Sequence, residues 1–151
     1  MIKLDILAFG AHPDDVELGC GATIAKEISL GKKVGIIDLT RGELGTRGSV
    51  DLRHEEATKA AEILGVCFRE NLDFADGFFV NDKTHQLRII EMIRKYQPEI
   101  VLCNAIDDRH IDHSKGSKLV SDACFLSGLI KIETTIDGKI QERWRPKQVY
   151  H

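Results

Sequence analysis

At 151 residues, 42% hydrophobic and 30% charged, the chain has the size and make-up of one globular domain with its own core. A formal net charge of -3 provides no broad basic field for nucleic acid or an anionic membrane. No stretch approaches the ~20 apolar residues of a membrane span, and Met1-Ile2-Lys3-Leu4-Asp5 lacks the layout of a signal peptide, so a cytoplasmic protein is expected.

Strand-like and helix-like segments alternate along the chain. Leu4 to Phe9 is an apolar run that reads as a buried strand, and Val16 to Leu30 is a helix with Cys20, Ile24 and Ile28 one turn apart and Gly31 as its stop. Val34 to Leu39 is a second strand. Asp51 to Leu64 is a helix with Ala57, Ala60, Ala61 and Leu64 on one face, ended by Gly65. Cys67 to Asn71 is a weaker third strand. Lys83 to Tyr96 is a helix carrying Ile89, Met92, Ile93 and Tyr96 inward, and Pro98 separates it from the strand Ile100 to Cys103. His113 to Leu129 is a helix with Gly116, Leu119, Val120 and Ala123 facing the core. Ile136-Asp137-Gly138-Lys139 then marks a hairpin, and Val149-Tyr150-His151 reads as the start of a strand. Continuous apolar strands separated by amphipathic helices predict a Rossmann-like three-layer α/β/α domain with a mostly parallel sheet. Cys20, Cys67, Cys103 and Cys124 have no C-x-x-C spacing and read as buried, reduced thiols.

Two clusters carry the chemistry. His12-Pro13-Asp14-Asp15 follows the first strand, and His110-Ile111-Asp112-His113 follows the fourth. In open parallel sheets ligands bind beyond the carboxyl ends of the strands, so the alternation brings both clusters to one rim. Two imidazoles and a carboxylate make an open metal site, with the remaining position left for water. His12, Asp15 and His113 are the expected ligands. The His12–Asp15 spacing, where strand turns into helix, lets one turn aim both at one ion, and Pro13 stiffens the backbone between them. Such an ion lowers the pKa of its water toward about 7 and polarises a carbonyl. Asp14 is the expected base for the water proton. His110 stands across the site to stabilise the oxyanion or protonate the leaving amine, with Asp112 holding its ring. These donors suit zinc, ferrous iron or another divalent ion alike.

The competing reading is structural. Asp14 or Asp15 alone would cap the helix that follows, and Asp112 the next one, but capping gives no role to the histidines. His54, His85 and His151 have no such company and read as surface residues. Thr40 to Gly48 is a glycine-rich loop without a Walker ending. Its Arg41 and Arg47, with Arg53 beyond, would clamp carboxylates or sugar hydroxyls, or else form surface ion pairs. Asp76 before Gly77 would bind a hydroxyl-rich substrate or simply make a turn.

Ala11-His12-Pro13-Asp14-Asp15 with Glu17, Thr40 through Gly48, Arg53 and Glu56, Asp76-Gly77, and His110 through His113 together resemble the LmbE/PIG-L family of metal-dependent N-acetylglucosaminyl deacetylases. The Thr-Arg-Gly-Glu-Leu-Gly-Thr-Arg-Gly loop resembles the bacillithiol-biosynthesis branch, whose members remove acetate from N-acetylglucosaminyl malate. The resemblance implies a Rossmann-like fold, zinc on His12, Asp15 and His113, Asp14 as general base, His110 supported by Asp112, and sugar contacts at Arg53 and Asp76. It also implies a small glycoconjugate substrate and a homo-oligomer. Members of the family run on beyond this end to complete the sheet, close the pocket and, in this branch, supply a tyrosine. Residues 1–151 are therefore expected to form a single deacetylase domain cut short at its C-terminus. Tyr96 and Tyr150 do not stand in that tyrosine's place, and Ile111 replaces a frequent proline. The alternative expectation is a metal-binding fragment, or an oligomerisation module, without catalysis.

Overall fold

The computed structural model describes residues 2–151. Its elements run β1 (Ile6–Gly10), α1 (Asp15–Ser29), β2 (Val34–Thr40), α2 (Val50–Leu64), β3 (Phe68–Phe74), α3 (Lys83–Tyr96), β4 (Ile100–Leu102), α4 (Ile111–Leu126), β5 (Thr135–Ile136), β6 (Lys139–Ile140) and β7 (Gln148–Tyr150). Five strands form one sheet in the order β3-β2-β1-β4-β7, and every pairing in it is parallel. The β5–β6 hairpin is separate and antiparallel. This is the expected Rossmann-like α/β architecture.

Strand alternation sorts the core into two halves. Leu7 and Phe9 of β1 and Ile37 and Leu39 of β2 pack with Ile89, Ile90 and Ile93 of α3 and Leu119 and Val120 of α4. Ile6 and Ala8 with Val34 and Ile36 face the other way, against Val16 and Ile24 of α1, with Leu64 of α2 alongside. Side chains such as Leu7, Ile24, Ile36, Ile89 and Leu119 are fully buried, and each contributes about 1.5–3 kcal/mol by leaving water.

Local chemistry sets the ends. Ser49 Oγ accepts the Leu52 N–H and starts α2 ahead of the expected Asp51. Gly65, at φ +77°, ends it in a left-handed turn open to glycine. Asp82 caps α3 through the His85 N–H. α4 stops at Leu126, short of Leu129, where the chain tightens: the Gly128 and Leu129 N–H groups donate three residues back, to the Phe125 and Leu126 carbonyls. Among the thiols, Cys124 is buried and Cys20 and Cys103 half-buried, but Cys67 is exposed. The expectation fails there because Cys67 lies in the turn before β3.

Between β1 and β4 the strand order reverses: β2 and β3 lie on one side of β1, β4 and β7 on the other. The peptide planes diverge at such a switch point, leaving a crevice beyond the carboxyl ends. The loops holding His12 and His110 leave the sheet there.

Candidate metal centre

His12 and Asp15 are placed by the tight turn between β1 and α1. Asp15 Oδ2 accepts the His12 backbone N–H at 2.9 Å and the Asn104 side-chain amide at 3.0 Å. Asn104, just after β4, in turn accepts the Ala11 N–H at 2.9 Å. One side chain thus ties the loop after β4 to the turn after β1. Gly10 gives the turn room, since a Cβ there would lie 3.1 Å from both Asp15 Cβ and the His12 carbonyl oxygen and crowd them.

The two distant clusters converge. Asp15 Oδ2 lies 3.5 Å from His12 Nδ1, and its Oδ1 lies 3.2 Å from His113 Nε2. His12, His110 and His113 each present a ring nitrogen within 4.8 Å of the others. The far nitrogens are held by acids: His12 Nε2 lies 3.0 Å from Asp76 Oδ1, and His113 Nδ1 lies 3.2 Å from Asp108 Oδ2. Burial disfavours the imidazolium of His12, but Asp15 and Asp76 outweigh it and raise the ring to about 9. Burial likewise raises Asp15, yet His12, Asn104 and His113 bring it down to about 2. These surroundings favour positive charge. Two imidazoles and a carboxylate around an open face suit zinc or another divalent ion in that place. His12 with Asp76 and Asp112 forms a second donor group within the same 4.8 Å, all three residues buried.

The open face is a cavity of about 600 Å³ whose walls include Asp14, Arg53, Arg109, His110 and Ile111. The Asp14 carboxylate is exposed to it and stands 3.4 Å from Arg53 Nη2. Asp14 occupies the N-cap position of α1, but its side chain makes no capping bond. Arg53 also donates to the Gly42 carbonyl at 2.9 Å. Any Cβ at Gly42 would meet Arg53 Nη1 at 2.2 Å, so only glycine admits the guanidinium. Arg47 is exposed and is not among the residues lining the cavity, and Arg41 pairs with Asp73 on the surface.

His110 and Asp112 meet differently from the expected carboxylate–imidazole pair. The Asp112 backbone N–H donates to His110 Nδ1 at 3.2 Å, so the histidine itself caps α4. The fully buried Asp112 carboxylate turns instead to the Gly77 N–H at 2.7 Å and the Lys115 ammonium at 2.9 Å, with His12 Nε2 at 3.4 Å. Burial raises its pKa, but Lys115 and Gly77 together hold it below the usual carboxylate range. Position explains the change: Lys115 lies one helical turn on, whereas His110 has its ring over the helix end.

Several residues here escaped the sequence reading. Arg69 of β3 reaches under the site, donating to the Pro13 carbonyl at 2.8 Å, to Asp38 at 2.7 and 2.9 Å, and to Glu17. Their signal was a charged residue inside each of two strands, since a buried charge needs a partner. Asp108 and Asn104 gave none, being ordinary loop residues. His85, read as a lone surface residue, is half-buried, pairs with Asp82 at 2.7 Å and packs edge-on to Phe74.

Fold and site together define a Rossmann-like α/β domain with an open histidine–carboxylate centre at its switch point. The family model for GlcNAc-PI de-N-acetylase (PIG-L) matches residues 7–124, and the chain belongs to that family. It is 40% identical over 114 residues to the uncharacterized deacetylase YaiS of Escherichia coli, covering 72% of this chain and 61% of that protein. It is 35% identical over 134 residues to the diacetylchitobiose deacetylase of Thermococcus kodakarensis, covering 82% of this chain and 50% of that one. The crystal structure of a conserved Thermus thermophilus protein superposes with a TM-score of 0.89 at 38% identity, over 97% of this chain and 65% of the other. The chain therefore spans less than two thirds of the length of these relatives.

Proposed function

We propose that this chain carries the metal centre of a zinc-dependent deacetylase that hydrolyses the N-acetyl group of an N-acetylglucosaminyl conjugate, releasing acetate and a free amine. The observation behind the reading is the meeting of the two clusters at Asp15, whose oxygens lie 3.5 Å from His12 Nδ1 and 3.2 Å from His113 Nε2. Similarity to a diacetylchitobiose deacetylase supports an N-acetylated sugar as the substrate class. The glycine-rich loop, which resembles that of the bacillithiol branch, and Arg53 in the cavity wall favour an acidic aglycone such as malate, the substrate type of that branch, whereas Arg47 lies outside the cavity.

A bound divalent cation supplies Lewis acidity, polarising the acetyl carbonyl and acidifying water. The chain's own groups do the rest. Asp14, exposed in the cavity and oriented by Arg53, takes the proton from the attacking water. His110 faces the same cavity from the other cluster. Its Nδ1 is committed to the Asp112 N–H, leaving Nε2 to stabilise the oxyanion or protonate the departing amine. Asn104 and Arg69 hold the ligand turn from beside and beneath.

The test has two stages. Purified protein binds about one zinc per chain, and His113→Ala loses it; a folded chain that takes up no metal would overturn the reading. The metal-loaded protein is then assayed for acetate release from N-acetylglucosaminyl malate and from neutral N-acetylglucosaminides. Release from neither, with metal bound, would favour the non-catalytic metal-binding fragment.

A further inference from the structure

Asp76 is buried, with 6% of its surface exposed, and both its oxygens are already engaged. Oδ1 lies 3.0 Å from His12 Nε2, and Oδ2 accepts the Leu44 N–H at 2.9 Å. Its own N–H donates to Glu43 Oε1 at 2.8 Å. Each oxygen is thus held by one internal bond, which fixes the carboxylate between His12 and the loop at the edge of the cavity. Around His12, the Nδ1 side faces Asp15, whose other oxygen faces His113 Nε2. The Nε2 side faces Asp76 and Asp112, and there the Lys115 ammonium, 2.9 Å from Asp112, opposes a cation. The Nδ1 side, toward Asp15 and His113, is therefore the one that would receive a cation, with Nε2 facing Asp76.

We propose that Asp76 is a positioning residue: it fixes the tautomer and ring plane of His12 from behind and ties the glycine-rich loop, through Glu43 and Leu44, to the metal centre. The proposal rests on the reading of His12, Asp15 and His113 as metal ligands. A carboxylate behind a ligating imidazole raises its basicity and restrains its rotation, and its loss typically costs about 10–100-fold in metal affinity. His113 has the corresponding partner in Asp108 on its own far nitrogen, at 3.2 Å. The same bonds give the loop a reason to be ordered next to the cavity. Leu44 and Gly45 line the cavity, and Leu44 is held in place by Asp76.

The experiment uses the full chain as wild type, Asp76→Ala, Asp76→Asn and His113→Ala. Zinc affinity is measured by competition with a chelating dye, the visible spectrum is recorded with cobalt(II), and folding of the metal-free forms is followed by circular dichroism. Asp76→Ala is expected to weaken zinc about 10–100-fold and to shift the cobalt bands. Asp76→Asn, nearly isosteric and keeping an acceptor oxygen, weakens zinc less but still shifts the bands, because the charge behind the ring is gone. Unchanged affinity and spectrum in Asp76→Asn would overturn the proposal even if the alanine form does not fold. An increase in KM alone, with metal binding intact, would also overturn it and make Asp76 a substrate contact. If the wild type itself binds neither zinc nor cobalt, the metal-centre reading fails and this proposal with it. Metal bound equally well by wild type and both Asp76 variants, but lost in His113→Ala, sinks this proposal alone.

Discussion

At the scale of single residues, the acids of this site differ by what surrounds each. Asp15 and Asp76 are buried against histidine, while Asp14, beside them in sequence or space, keeps its carboxylate 56% exposed. Asp14→Asn is therefore expected to leave zinc content unchanged and lower turnover by about 10²–10⁴-fold, the usual range for a general base. Metal analysis beside the acetate assay checks it, and a normal rate would remove Asp14 from that role. Asp38 offers a different measurement. Burial raises its carboxyl to about 6, against the lowering pull of Arg69. Its ordinary value is near 4, so between about pH 4 and 6 the folded chain holds a proton that the unfolded chain releases. The contribution of this group to stability thus falls as pH rises through that window. A carboxyl carbon titration of Asp38 by NMR should show a midpoint near 6, whereas one at or below 4 would mean that Arg69 outweighs burial.

At the scale of elements, two buried arginines do the joining. Arg69 of β3 links β2, α1 and the ligand turn through Asp38, Glu17 and the Pro13 carbonyl. Removing it strands two carboxylates, at a cost of about 3–5 kcal/mol. Arg69→Met is expected to lower the urea midpoint accordingly and to weaken zinc binding, because Pro13 loses its support. A change below about 1 kcal/mol would show that the network relaxes around the loss. Arg94 of α3 acts on the opposite layer. It donates to the carbonyls of Ser127, Leu129 and Ile132 and to Thr134 Oγ1, with no carboxylate partner among the described residues. Arg94→Met takes the side-chain donor from the Ile132 carbonyl and leaves the Ser127 and Leu129 carbonyls with their backbone donors alone, and about 1–3 kcal/mol of stability should be lost. The variant's zinc affinity should stay unchanged, because α3 and the segment after α4 carry no ligand.

At the scale of the whole molecule, the proposed metal centre would link folding to the site. An ion held by groups that meet only in the folded chain stabilises that state, so on the zinc proposal chelator should lower the melting temperature of the wild type but not that of His113→Ala. At a free metal concentration of a hundred times Kd the stabilisation is about 2.7 kcal/mol. Equal melting temperatures with and without zinc would mean that the two clusters do not share an ion.

The layered α/β fold was legible from the sequence because parallel strands buried on both faces need continuous apolar runs, and the helices covering them need one apolar face. Val34 to Leu39 and Ile89 to Tyr96 show these patterns directly. The histidine–aspartate clusters were legible for a related reason: acids have many uses at helix starts, but histidines at two strand ends have few. Their partners were not. A capping acid, a ligand and a positioning acid are the same residue in one dimension. Thus Asp112 turned from His110 to Lys115 and Gly77, Asp76 lay behind His12, and Asn104 and Asp108 passed for loop. Residue type and period follow from the sequence because they are properties of neighbours along the chain. The partner that each buried charge takes depends on distances between β1, β2, β3 and β4 that no local pattern records, and only the tertiary structure decided it.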